Sequence, residues 1–516
     1  MNKLYPIGIQ NFESLRKDGY FYVDKTALVY ELANTGRYYF LSRPRRFGKS
    51  LLLSTLQAYF EGKKELFTGL AMERLEQNWT KYPVLHLDLN ARKYDAESSL
   101  LHELNKHLEE WESKYNSPYS DRAPEERFYK VIQRAYEMTG QRVVVLVDEY
   151  DKPMLQAIGD PVLQESYRNT LKPFYGVLKS LDGYIRFAFL TGVTKFGKVS
   201  VFSDLNNLND ISMDRQYVAL CGMTESEIHT DFEDELHGLS TTLGLSYEDV
   251  CHELKARYDG YHFTYQVEGI YNPFSLLNTF YKMEFGSYWF ETGTPSYLVE
   301  LLKRDHYDLY RMSEEETDAD VLNSIDSTSK NPIPVIYQSG YLTIKGYNKD
   351  FGIYRLGFPN KEVEEGFIKY LLPFYANVEV GNSSFQIMKF VTEVESGDYD
   401  SFFHRLQSFF ADTPYELVRD LELHYQNVLF IVFKLVGFYV KADYHTSEGR
   451  IDLVLQTDRF VYIMEFKFDG TADEALRQIE EKHYALPFVH DPRRLFKIGV
   501  NFSSKTRNID EWKVVG

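Results

Sequence analysis

Two groups of residues in this 516-residue chain have the types and spacing needed for chemistry. The first is Arg43-Pro44-Arg45-Arg46-Phe47-Gly48-Lys49-Ser50, which follows an apolar run. A strand that ends in such a loop turns its backbone N–H groups toward a phosphate, and a helix starting there presents its positive end. Lys49 is placed for β/γ-phosphates and Ser50 for Mg²⁺, while Arg45, Arg46 and Gly48 belong to the same basic loop and are assigned to the nucleotide. The second group is Asp452 with Glu465 and Lys467. Two carboxylates on neighbouring strands can hold one or two Mg²⁺ ions, and a nearby lysine can place the attacking water or stabilise charge.

Each group needs supporting elements. Val143 to Val147 is a β-branched run suited to a central parallel strand, and it leads into Asp148-Glu149. Asp148 is expected to hold Mg²⁺ through water, and Glu149 to polarise an attacking water. The strand Ile185–Leu190 ends at Thr191, which is placed to sense a γ-phosphate, with Thr194 behind it. Tyr38–Leu41 and Val84–Leu89 read as further strands, with helices over 49–60 and 98–114, and this alternation predicts an α/β sheet covered on both faces.

In the C-terminal part, Phe460 to Lys467 reads as a strand in which Glu465 and Lys467 project from one face. The strand opening near Asp452 precedes it, so a hairpin would bring the two carboxylates together. Glu422, on an upstream helix, is a candidate third acid. Between the two ends, the chain past Asp210 becomes helical with aromatic punctuation, as in Tyr258-Asp259-Gly260-Tyr261 and Tyr271-Asn272-Pro273-Phe274. Tyr341–Ile344 and Ile353–Leu356 are expected to form a hairpin around Lys349-Asp350. The acidic run Ser313 to Asp320 is expected as a solvated loop or helix end.

The first segment, read with Phe21-Tyr22-Val23-Asp24-Lys25-Thr26, Asp148-Glu149-Tyr150-Asp151-Lys152-Pro153 and Thr191-Gly192-Val193-Thr194-Lys195-Phe196, closely resembles the bacterial AAA-ATPase-like family. Those proteins commonly carry a C-terminal PD-(D/E)XK nuclease domain, and an arginine in place of the first P-loop glycine is usual among them. The resemblance covers most of the chain. It implies an N-terminal P-loop NTPase sheet over 1–215, a helical, winged-helix-like middle region over 216–395, and a PD-(D/E)XK nuclease-like α/β domain over 396–516. It also implies that Gln478, and Tyr484 on the same helix, help to order the site, as in the exonuclease-like branch of that superfamily.

The expected activity is ATP-regulated, Mg²⁺-dependent hydrolysis of phosphodiester bonds, with Mn²⁺ as an alternative metal. The catalytic set is then Glu422, Asp452, Glu465, Lys467 and Gln478, with Glu149 at the ATP site. The alternative is a nucleotide-dependent sensor or scaffold whose nuclease-like domain binds nucleic acid without cutting it.

Bulk properties limit the classes. A net charge of −18 excludes a chain-wide electrostatic grip on nucleic acid, so any interface with DNA, the expected partner, must be local. Arg477, Lys482, Arg493, Arg494 and Lys497 form a second candidate basic set. Two cysteines exclude a disulfide framework and a CxxC zinc site. The opening residues lack the apolar core of a secretory signal. The apolar run Val428–Val440 is broken by Lys434 and falls short of the ~20 residues that span a bilayer. A cytoplasmic protein without a membrane segment is expected; a homo-oligomer is compatible with the chain.

Overall fold

The computed structural model describes residues 3–117, 121–196, 207–265, 267–292, 296–323, 331–376, 378–411, 421–447 and 450–516. It divides into two compact units, one comprising Met1–Thr292 with Glu316–Glu362, the other Gly293–Glu315 with Val363–Gly516.

The first unit is built on a parallel sheet of β1 (Tyr38–Ser42), β2 (Val84–Asp88), β3 (Val143–Asp148), β4 (Ile185–Gly192) and β5 (Asn209–Asp210), in the order β2-β3-β4-β1-β5. Every residue of β3 is buried, as expected for an apolar strand covered on both faces. Because β4 lies between β1 and β3, the loops leaving the carboxyl ends of all three meet at one edge of the sheet. That arrangement brings residues 43–50, 148–151 and 191–194 together from distant parts of the chain.

The middle region is helical. Helices Glu225–Asp231, Glu233–Leu243, Tyr247–Tyr258 and Pro273–Lys282 enclose a core that includes Phe232, Leu236, Leu254 and Phe280. Its aromatic motifs have mechanical roles. Asn272 caps the last of these helices by accepting from the N–H groups of Phe274 and Ser275, and Pro273 fits the first helical position. Gly260 has φ +96°, and a Cβ there would sit 2.2 Å from the Pro359 carbonyl oxygen. The expected hairpin is present as β7 (Thr343–Asn348) and β8 (Ile353–Gly357). The acidic run at 313–320 departs from its expected loop or helix end: Glu315–Asp318 forms strand β6, which adds to that hairpin in the order β6-β8-β7. Alternate burial, with Glu315 and Thr317 inside, explains how so charged a segment joins a sheet.

The second unit carries a sheet of β9 (Lys441–Ser447), β10 (Arg450–Gln456), β11 (Phe460–Phe468), β12 (Arg494–Ser503) and β13 (Asn508–Val515), paired in reverse chain order. All neighbours are antiparallel except β11 and β12, which are joined through the helix Ala472–Glu481. That helix starts at a capping box of Thr471 and Glu474 and buries Ile479 against Val461 and Ile463. The helix Leu421–Gly437 covers the other face, with Phe433 against Phe466. Its run from Asn427 to Phe433 is buried without interruption, so the most apolar stretch of the sequence is a core helix. Among the described residues no helix is long and apolar enough to cross a membrane.

Candidate active site and nucleotide site

At the first site β1 ends in a loop with left-handed residues at Arg46 (φ +64°) and Gly48 (φ +94°). Helix Lys49–Phe60 begins immediately after, so its first N–H groups point into the loop, where an anion would neutralise them. Lys49 is 5% exposed, and its ammonium donates to the carbonyls of Arg43 (3.0 Å) and Pro44 (3.2 Å). It also lies 3.5 Å from Glu149 Oε1. Ser50 follows in the first helical turn. Arg46 is exposed with its guanidinium over the Phe274 ring at 4.9 Å, and the Arg45 carbonyl accepts from the Trp289 indole at 3.0 Å.

Arg43, where a glycine is usual in phosphate loops, is a strut. Its buried guanidinium donates to the carbonyls of Ser42 (2.9 Å) and Ser212 (2.8 Å) and stacks on Phe263 at 3.9 Å. Burial lowers its pKa to about 10. An arginine therefore ties this loop to the segment after β5, a contact that glycine cannot make.

Asp148 ends β3, 4% exposed, and accepts from the Thr191 hydroxyl at 2.8 Å. Thr191 is thus joined to the acid through the neighbouring strand end. Glu149 has φ +53°, an uncommon conformation for a residue with a side chain and one that recurs at functional sites.

The sequence reading missed the next two residues. The Asp151 carboxylate is fully buried and accepts from the N–H groups of Val193 (3.1 Å) and Thr194 (2.6 Å) and from the Thr194 hydroxyl (2.6 Å). Burial raises its pKa to about 7, with the Glu149 charge adding to the shift. Tyr150 donates to the Thr194 carbonyl at 3.0 Å and accepts from Phe196 N–H at 3.1 Å. Together they fix the loop after β4. Gly192 belongs to the same lock, because a Cβ there would lie 2.4 Å from Asp151 Oδ1. The signal was present as the paired segments 148–153 and 191–196, but only their first residues suggested chemistry.

At the second site Glu465 is wholly buried on β11 and accepts from the Lys467 ammonium at 3.0 Å. Lys467 also donates to the side-chain oxygen of Gln478, on helix Ala472–Glu481. That helix lies close to the sheet because position 499, next to Glu465 on β12, is glycine: a Cβ there would meet the Ala472 carbonyl oxygen at 2.2 Å. The register places Asp452 on β10 directly opposite Glu465, the hairpin arrangement expected; its side chain, like Gly449 before it, lies outside the described residues.

Glu422 stands in the first turn of the helix on the opposite face and accepts from Gln426 at 3.4 Å. Tyr425, one turn on, meets Phe468 at 6.0 Å, so that end of the helix lies beside the end of β11. The structure therefore joins Glu465, Lys467 and Gln478 directly and sets Glu422 on a separate element. Tyr484 is not on the helix of Gln478, which ends at Glu481; it lies in the following turn and packs against the Val461–Ile463–Ile479 cluster. In the basic set, Lys497 is paired with Glu480 (2.6 Å) and Arg493 with Asp491 (2.6 Å), which leaves as its exposed members Arg477 and Lys482, on and just past this helix, and Arg494 at the start of β12.

A buried carboxylate opposite a second acid position is a hard, anionic oxygen set, which suits Mg²⁺ held by one or two carboxylates and water. Among the described residues no group of three His, Cys, Asp or Glu side chains gathers around a metal-sized space.

A parallel sheet with a phosphate loop, and a second sheet bearing an acid-and-lysine cluster, define a two-part protein of ATPase-like and nuclease-like domains. Comparison with known proteins agrees. The family described as AAA-ATPase_like, a predicted AAA-ATPase, matches residues 6–202, and the PD-(D/E)XK nuclease superfamily matches residues 420–512. A protein of Azotobacter chroococcum mcd 1, described as an uncharacterized protein in the vnfD 5' region, is 37% identical over 520 residues, with 98% of each chain covered. The chain belongs to this family of AAA-ATPase-like proteins with a C-terminal PD-(D/E)XK nuclease superfamily domain. No solved structure matches it.

Proposed function

We propose that this protein is an ATP-regulated, Mg²⁺-dependent nuclease that hydrolyses phosphodiester bonds in nucleic acid, with DNA as the first substrate to test. The observation that carries the proposal is the buried Glu465 carboxylate, bonded by Lys467, which Gln478 holds in turn. A charged acid with no exposure is costly to keep unless cations compensate it; Lys467 supplies one, and a metal ion shared with a second carboxylate would supply another. Asp452, in register with it, is assigned as the second metal ligand. Mg²⁺ bound there would supply Lewis-acid stabilisation of the phosphate and an acidified water. Lys467 would place that water and offset charge on the phosphate, Gln478 would orient Lys467, and Glu422 would add a supporting acid at the rim.

At the other site ATP phosphates would replace the loop carbonyls as partners of Lys49. Arg45, Arg46 and the N–H groups from Gly48 onward would surround them. Ser50 and Asp148 are assigned to the nucleotide's Mg²⁺, Glu149 to the attacking water and Thr191 to the γ-phosphate. ATP bound there would control cutting in the second domain.

The test is cleavage of labelled single- and double-stranded DNA and RNA in Mg²⁺ or Mn²⁺. We expect cutting that stops in EDTA, returns with metal, and is absent from Asp452→Ala and Glu465→Ala. Folded protein that binds DNA but never cuts it would instead indicate a nucleotide-dependent sensor.

A further inference from the structure

The phosphate loop is held from outside as well as from within. The Trp289 indole N–H donates to the Arg45 carbonyl at 3.0 Å, across 244 residues of sequence. Trp289 is 4% exposed and belongs to the short helical turn Tyr288–Glu291. The backbone of that turn is fixed by Glu362, whose buried carboxylate accepts from Trp289 N–H at 2.7 Å and from the Ser275 hydroxyl at 2.8 Å. Burial raises the Glu362 pKa to about 7, a sign of how little water reaches it. Tyr341 packs against the Trp289 ring at 5.3 Å and fixes its plane.

The location of this relay gives it meaning. The chain passes between the two compact units after Thr292, after Glu315 and after Glu362. Trp289 stands just before the first crossing, and Glu362 is the last residue before the third. One carboxylate thus ties together two of the three crossings, and the indole it positions reaches a carbonyl of the phosphate loop. All these groups lie within the first unit. A loop that changes its backbone on taking up a phosphate would change the acceptor seen by Trp289, and with it the turn that leads into the second unit.

We propose that Trp289 and Glu362 are positioning residues that couple nucleotide occupancy of the phosphate loop to the chain crossings leading to the nuclease domain. This inference rests on the reading of residues 43–50 as a nucleotide site and adds the route of its regulation. Neither residue is assigned to nucleotide or substrate. Trp289 acts on the Arg45 carbonyl, and Glu362 acts on Trp289.

The test uses the full-length protein with Trp289→Phe, Glu362→Gln and Glu362→Ala, with Lys49→Ala as the control for the nucleotide site. ATP affinity is measured by titration, and hydrogen exchange is followed over residues 286–292 and 358–366 with and without ATP. In the wild type ATP should slow exchange in both segments. Trp289→Phe keeps an aromatic ring but removes the donor; it should weaken ATP binding about three- to tenfold, the worth of one hydrogen bond, and abolish the exchange response. Glu362→Ala should behave likewise, whereas Glu362→Gln, which keeps an acceptor for Trp289 N–H, should recover most of the response. That graded recovery separates positioning from mere loss of packing. Wild-type affinity together with an intact exchange response in Trp289→Phe would overturn the inference while leaving the nucleotide site standing. ATP binding by the wild type with no exchange response at either segment would overturn it without any variant. No ATP binding by the wild type would overturn the nucleotide-site reading, and this inference with it.

Discussion

Each of the two sites centres on a lysine paired with a glutamate, and the two pairs differ in what else holds the lysine. Lys49 lies 3.5 Å from Glu149 and otherwise donates to two backbone carbonyls of its own loop. Carbonyls are neutral partners, so a phosphate can displace them with a gain in charge-assisted bonding. Lys467 lies closer to its glutamate, at 3.0 Å, and its other bond goes to the side-chain oxygen of Gln478. An amide on a packed helix is a fixed orienting group. The first arrangement would suit exchange when a ligand arrives, and the second would suit a lysine held still during the proposed chemistry. On the proposed reading the first would serve a switch and the second a reaction.

Removing the acids separates the sites most strongly. Glu465→Ala should lower cleavage by about 10³-fold or more, since the proposed metal ligand would be lost, while ATP affinity stays at its wild-type value. Lys49→Ala should give the opposite pattern in a binding titration. ATP affinity should fall roughly ten- to a hundredfold, the value of a charge-assisted bond, with the second domain's metal response intact. Gln478→Ala tests the fixed lysine. Cleavage should drop about tenfold to a hundredfold, as for other groups that orient a metal site, and equal loss of ATP affinity would break the distinction between the sites. Gly192→Ala should have the smallest effect. Its Cβ would press on Asp151, costing about 1–3 kcal/mol in a denaturant titration and loosening the loop that carries Thr194.

The sites also differ in how legible they were. The acid-and-lysine cluster is local: Glu465 and Lys467 alternate on one strand, so a period of two places both on one face, and the short interval back to Asp452 suits the hairpin that sets it opposite Glu465. The loop-to-helix geometry at residues 43–50 was legible for a different reason. Backbone N–H groups at a helix start need glycine and lysine at fixed positions, whatever the rest of the chain does. Contacts made by long-range packing were not legible. Asp151 has the same residue type as Asp148, yet one is a latch for residues 193 and 194 and the other faces Thr191; only the strand order separates them. Trp289 carries no local signal, because its partner lies on the other side of the sequence. Glu422 shows the reverse limit. Its helix was legible from apolar periodicity, but the face of the sheet that the helix covers is set by packing.

The central claim is that one chain cuts nucleic acid under the control of a nucleotide bound elsewhere in it. Its most direct test is the cleavage rate of labelled DNA in Mg²⁺ as a function of ATP concentration, for wild type and Lys49→Ala side by side. The account predicts a saturable change of rate with ATP in the wild type and a rate that ignores ATP in Lys49→Ala. Cleavage with the same ATP dependence in both proteins would contradict it.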